Sequence, residues 1–465
     1  MTPCRGPGGG TRRQTDQQSS PHNPWYISPM VAAAAPDAGR ARAQRAWCLY
    51  DWANSVFATS VVSAVLPVYF ARVAGRLMPA HQATAVWGYA SAAALAITAI
   101  LSPIVGAVAD QTQRRKPILF TCVLLGVAGT LALSFLGSGA WWSLLLAFGL
   151  SFIAFATGNV LYDSLLPSVA APEEMDAVSA RGFAWGYVGG GLLLAVHLAL
   201  LMVPYRFGLP DAGAATRVVF ASVAAWWLVF SIPLMRDVPE PASVHRKVPA
   251  GQVAGAALRR IGHTISHLRE YPDLLAFLIA FWLYSDGIGT IIKMATIYGA
   301  EVGIGERDLI GALLMVQILA APAAIAFGRI AKPLGARRAV LIGIAGYVAI
   351  SLFAFTLAHP WQFWVLAGMV AMFQGGTQAL SRSMFASLVP SERTGELFGF
   401  YSVSEKLAGV VGPVLFGVVT QVTHGGRLAT LTLLPLFIGG AWMLTRVDLE
   451  RGRRVAAAET ARAGA

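Results

Sequence analysis

Long apolar runs alternate with short polar connections along almost the whole chain. The runs lie at 47–73, 84–109, 117–138, 141–162, 180–203, 216–236, 273–298, 308–330, 337–357, 361–384, 395–422 and 427–446. Each is near the length of about 20 residues that a helix needs to cross a bilayer. They predict twelve membrane helices, with the weakest separation at GSGA, 137–140. Polar residues are not scattered among these runs. The first carries Asp51, Asn54 and Ser55, and the fourth Asn159, Tyr162 and Asp163. The seventh carries Asp286, Gly289 and Thr290, and the tenth Gln374, Thr377 and Gln378. Every third run is marked, and each set is spaced i, i+3, i+4, which is one face of one helix. Inside lipid such side chains face the bundle interior or a water-filled cavity. The pattern predicts a solute pathway lined by Asp51, Asn54, Ser55, Asn159, Tyr162, Asp286, Thr290, Gln374, Thr377 and Gln378.

Composition narrows the class. The chain is 56% hydrophobic and 12% charged, where soluble domains average about 25% charged. An all-α polytopic membrane protein is the class that fits. The net charge of +12 does not argue for nucleic acid, because the charges sit between the runs. Of the 35 Lys and Arg, 27 fall on the side that twelve spans would give to both termini. That asymmetry predicts cytoplasmic termini, and a bacterial inner membrane is the expected location. Cys4, Cys48 and Cys122 have no metal or redox spacing. Neither a phosphate-binding P-loop nor an HExxH or GxSxG motif occurs. The expectation is therefore no enzyme, no cofactor and no metal. The expected partners are a small solute, protons and membrane lipids, with the chain acting as a monomer.

Residues 1–44 are rich in Gly, Ser, Pro and Arg and are expected to form a disordered tail, with Met30 as an alternative start. A six-helix bundle is expected over 45–236, a second over 273–446, and a tail over 447–465. The linker 237–272 places Val253, Ala256, Ala257, Ile261, Ile265 and Leu268 opposite Arg259, Arg260 and His263. This spacing predicts an amphipathic surface helix, a tether or a lipid-recognition element. The two halves repeat in the same order. FATGNVLYDSLLPSVAAPEE at 155–174 aligns with FQGGTQALSRSMFASLVPSE at 373–392, and GAVADQTQRRK at 106–116 with GRIAKPLGARR at 328–338.

Those residues resemble the major facilitator superfamily. GAVADQTQRRK is similar to its loop signature between helices two and three, with Gly106, Asp110, Arg114 and Arg115 matching and Gln111 and Gln113 departing. LYDWANSVFATSV, LPVYF, DGIGTIIKMATIYGAE, GGTQALSRSMFASLVP and FGFYSVSEKLAGVVGPVLFG resemble the vacuolar-effluxer-like branch, named for a fungal vacuolar amino-acid effluxer. The resemblance implies two pseudo-symmetric six-helix bundles, with helices one, four, seven and ten around a central pathway. It further implies that Asp110 meets the N-terminus of helix eleven near Thr394 and Gly395. A gate made of Gly106, Asp110, Arg114, Arg115 and Asp163 is expected, with Arg114 pairing with Asp163.

Individual roles stay open at this level. Asp51 either forms the mouth of the pathway or caps its helix and pairs with Arg45. Asp286, some 13 residues into its run, suits proton coupling or amine binding, or an ion pair with Lys293 or Lys406. Glu405 and Lys406 also lie deep in a run and are candidates for coupling or for a structural pair. The expected function is secondary transport of a small solute, amino acids by resemblance, by alternating access with proton coupling. Drug or metabolite export is the alternative within transport, and a non-transporting membrane sensor is the alternative outside it.

Overall fold

The computed structural model describes residues 37–70, 80–137, 139–240, 271–409, 411–423 and 426–464. The expected amphipathic helix at 253–268 and most of the N-terminal tail lie outside the described residues. Helix α1 spans Asp37–Val56 and continues as a π-helical segment, Phe57–Val65, and a last turn, Leu66–Tyr69. It starts inside the expected tail because DAGRARAQRA forms an Ala- and Arg-rich helix. Ala43 and Ala46 of that stretch are buried, and Arg42 reaches Asp237 at 2.8 Å. The first half is completed by α2 (Ala80–Thr112), α3 (Arg115–Leu133), α4 (Trp141–Ser164), α5 (Met175–Met202) and α6 (Ala212–Asp237). The second half holds α7 (Pro272–Glu301), α8 (Glu306–Leu334), α9 (Ala336–Phe355) and α10 (Pro360–Ser387). Helix α11 comes in two pieces, Thr394–Leu407 and Val411–Thr423, and α12 likewise, Gly426–Leu431 and Leu434–Thr445. A surface helix, α13 (Leu449–Gly464), ends the described chain where a plain tail is expected. Among the described residues, nine helices are individually long and apolar enough to cross a membrane, and Val411–Thr423 is a shorter apolar one.

The halves are built alike. In the first, α1 packs on α5 and α6, α3 on α4 and α6, and α2 on α4. In the second, α7 packs on α11 and α12, α9 on α10 and α12, and α8 on α10. Two long contacts join the halves, α2 with α11 and α5 with α8. This exchange of equivalent helices is what a pseudo-two-fold axis produces. Helices α3, α6, α9 and α12 turn apolar side chains outward, among them Leu124, Ile232, Ile342 and Ile438, all well exposed. In lipid those positions meet acyl chains, so the polar residues are left for the interior. The α2–α11 contact is close enough to need glycine. A Cβ on Gly106 would stand 2.0 Å from the Gly395 carbonyl oxygen.

Candidate functional site

Both described ends of the chain lie on one face, the terminal face, and there the halves are bonded together. At the centre is Arg382, on α10, whose side chain is 5% exposed. Its Nη1 donates to Asp163 Oδ1 at 3.0 Å and to Asp51 Oδ2 at 3.4 Å; Nη2 donates to Asp51 Oδ2 at 3.3 Å. Nε donates to Ser179 Oγ at 2.9 Å, and Nη2 also to the Ser179 carbonyl at 3.0 Å. The guanidinium lies over the rings of Phe183 (4.4 Å), Trp47 (4.7 Å) and Tyr162 (5.6 Å). One second-half side chain is thus gripped by α1, α4 and α5 of the first half. A planar guanidinium suits this role, because it stacks on rings while its fixed fork serves several acceptors. Tyr162 donates its hydroxyl to Asp51 Oδ2 at 2.7 Å and stacks on Trp47 at 4.5 Å, which holds the carboxylate in place.

A second contact lies beside it. Asp110, 3% exposed, accepts from the Gly395 N–H at 3.0 Å and the Glu396 N–H at 2.9 Å, at the start of α11. A carboxylate there meets the unsatisfied amides and positive end of the helix. Its other partner is Arg115, at 2.8 Å, and Arg115 Nη2 also donates to the Ser391 carbonyl at 3.1 Å. The expected pair of Arg114 with Asp163 does not form. Arg114 is exposed at the start of α3, preceded by Gln113 with φ 56°. That turn aims Arg115 inward, and Asp163 has Arg382 instead. Ser383 donates to Asp176 at 2.5 Å and Ser179 to the Ala379 carbonyl at 2.7 Å, adding two more bonds across the same face.

Next to the arginine lies a cavity of about 240 Å³. Phe183, Phe281, Tyr284 and Tyr401 give it an aromatic wall, and Asp163, Arg382, Lys293 and Glu405 give it charge. Ser285, Gly289, Thr377 and Gln378 complete most of the polar lining. Of the ten residues expected along the pathway, Thr377 and Gln378 line this cavity, with Asp163 from the expected gate.

The others are placed differently. Asn54 and Asn159 bond to each other at 2.7 Å, between α1 and α4. Asp51 and Tyr162 belong to the arginine cluster, and Ser55 sits against Gly186 of α5. Gln374 lies on the same half-buried stretch of α10 as Gln378, which accepts from Tyr187 at 3.4 Å. Asp286 is 1% exposed and accepts from the Gly412 N–H at 2.7 Å, at the start of the second piece of α11. Thr290 donates to the Asp286 carbonyl at 2.6 Å and packs on Gly412. Lys293 donates to the Gly409 carbonyl at 3.2 Å, near the end of the first piece. The break in α11 is therefore held by two α7 residues, an acid at the new amino end and a base at the old carboxyl end, as helix dipoles require. The direct Asp286–Lys293 pair considered from sequence is replaced by these two contacts. Glu405 is exposed to the cavity, and the Lys406 side chain lies outside the described residues.

Arg382 is the buried residue joining the halves that sequence reasoning misses. Counted among loop arginines, it sits within α10, one turn beyond Gln378 on the stripe that begins at Gln374.

Residues 77–457 match the family described as "Vacuole effluxer Atg22 like". The chain is 37% identical over 409 residues to YxiO of Bacillus subtilis (strain 168), described as an uncharacterized MFS-type transporter, covering 88% of this chain and 95% of that one. It is 28% identical to autophagy-related protein 22 of Yarrowia lipolytica, over 60% of this chain and 51% of the other. Among solved structures it resembles the fucose transporter FucP in the outward conformation, with TM-score 0.69 and 11% identity, covering 88% of this chain and 99% of that one. It also resembles the human organic anion transporter MFSD10, with TM-score 0.67 and 15% identity, covering 88% of this chain and all of that one. The fold is that of the major facilitator superfamily, and the chain belongs to the vacuole effluxer Atg22-like family of membrane transporters.

Proposed function

We propose that the protein carries a small solute with an amine and a carboxylate, of amino-acid type, across a bacterial inner membrane by alternating access. The observation that carries this reading is the cavity closed on the terminal face by the Arg382 cluster. A cavity of about 240 Å³ is below the roughly 300–1,000 Å³ of pockets for drug-sized ligands, which favours a small solute over a drug. Lys293 from α7 and Glu405 from α11 offer one charge of each sign on the cavity wall, the pair that a zwitterion needs. Aromatic faces beside Glu405 suit an ammonium group. The Arg382 and Asp110 contacts join the two halves at one end, and breaking them together opens the site to that side. The distribution of Lys and Arg makes that side the cytoplasm. Asp163, on the cavity wall, supplies a carboxylate for coupling to protons.

The test is flux in proteoliposomes. Counterflow of radiolabelled amino acids, lost in Lys293→Met and Glu405→Gln, is the expected result. Binding of those solutes without flux under any imposed gradient would overturn the transport reading.

A further inference from the structure

We propose that Asp163 is the residue that takes up the coupling proton, and that it does so as the terminal face closes around Arg382. Two carboxylates share one guanidinium, and the three side chains are 5%, 13% and 19% exposed for Arg382, Asp51 and Asp163. With both acids ionised, a largely dry cluster holds one negative charge too many. Burial of a charge without a partner is costly, and the usual relief is to neutralise it.

The hydrogen bonds say which acid gives way. Asp51 Oδ2 accepts three donors: Tyr162 Oη at 2.7 Å, Arg382 Nη2 at 3.3 Å and Arg382 Nη1 at 3.4 Å. Asp163 accepts one, Arg382 Nη1 at 3.0 Å, through Oδ1. Its Oδ2 has no hydrogen-bond partner among the described residues. Asp163 also lines the cavity, and Glu405 of α11, a further acid, lines the same wall. The other charged or titratable groups near this point are Lys293 and the Tyr284 hydroxyl of α7, the Tyr401 hydroxyl of α11 and the Tyr162 hydroxyl of α4, which donates to Asp51. Lys293 donates to the Gly409 carbonyl, and among the described residues the ion pair of Asp163 is with Arg382, which Asp51 shares. A proton from solvent adds to Oδ2 and the cluster becomes neutral. No other bond forms or breaks. When the halves part, Arg382 leaves with α10, both acids regain water, and the proton leaves on the terminal side.

This inference rests on the alternating-access reading, and its test is chosen to fail separately. Spin labels on Glu173→Cys and Lys332→Cys, exposed on the terminal face of opposite halves, report gate closure without any solute. Because the closed state holds one more proton, its population is expected to rise as pH falls, with a tenfold change in the closed-to-open ratio per pH unit. Asp163→Asn is expected to be closed at every pH, while Glu405→Gln keeps the transition. Asp163→Glu, which restores a titratable group, is expected to bring the transition back and guards against a folding defect in Asp163→Asn. A gate that ignores pH in the wild type, or one that titrates alike in wild type and Asp163→Asn, overturns the assignment. A titrating gate in a protein that moves no solute would support Asp163 and remove the transport reading instead.

Discussion

The two halves present the same polar stripes at the same helical spacing, yet the stripes meet different fates. In the first half, α1 and α4 close on each other: Asn54 bonds Asn159, and Tyr162 bonds Asp51. In the second, α7 and α10 leave Ser285, Gly289, Thr377 and Gln378 facing the cavity. Arg382, a buried cation between them, lines the cavity from α10 but spends its hydrogen bonds on the first half. Duplicated sequence therefore yields a receiving half and a half that carries both the plug and most of the cavity lining. The plug is held by α1, α4 and α5 of the first half, through Asp51, Asp163 and Ser179.

The sharpest break in this comparison is Arg382→Met. It removes the cation and leaves the Asp51 carboxylate uncompensated beside the protonated Asp163, at a cost of about 3–5 kcal/mol to the closed state. Flux is expected to drop by roughly 100-fold or more by the same principle, and the triple variant with Asp51→Asn and Asp163→Asn should regain thermal stability but not coupled flux. Asp110→Asn comes next. It keeps the shape at the start of α11 but gives up the charge that faces the helix dipole and Arg115, an effect of about 1–2 kcal/mol. Cysteine accessibility of the pathway from the terminal face should rise by roughly tenfold for that energy. Asp286→Asn tests the opposite side of the comparison. Its contact to Gly412 lies within the second half, so the loss of about 1–3 kcal/mol should show in melting, while the pH dependence of gate closure stays as in the wild type. Asn54→Ala should matter least. One neutral hydrogen bond inside a half is worth about 1 kcal/mol, so flux is expected to fall less than about tenfold.

The fold was legible because apolar runs of bilayer length and a repeated order of motifs leave few alternatives. The placement of Asp110 at the start of α11 came from the resemblance carried by Gly106 and its neighbours, and the 2.0 Å approach at Gly106 is the physical reason for that glycine. Helical spacing located faces on α1, α4, α7 and α10 that turn inward, to another helix or to the cavity. It could not distinguish a face that meets water from one that meets another helix, since both need polar side chains. Hence Asn54 and Asn159 were expected in the pathway and instead satisfy each other. Asp286 was read as deep, which it is, but its partner depends on the break in α11. AGVVGP carried that signal, with Gly409, Gly412 and Pro413 inside an apolar run. Arg382 was hidden by its position at the edge of the tenth run, where a topology arginine and a buried one look the same.

Arg382 pins the second half to the first on the terminal face. The most direct measurement is the distance distribution between labels at Glu173→Cys and Lys332→Cys, with Cys4, Cys48 and Cys122 replaced, in wild type and Arg382→Met at one acidic pH. A short, narrow distribution that becomes predominantly long in Arg382→Met is the predicted result. Superimposable distributions in the two proteins would contradict it.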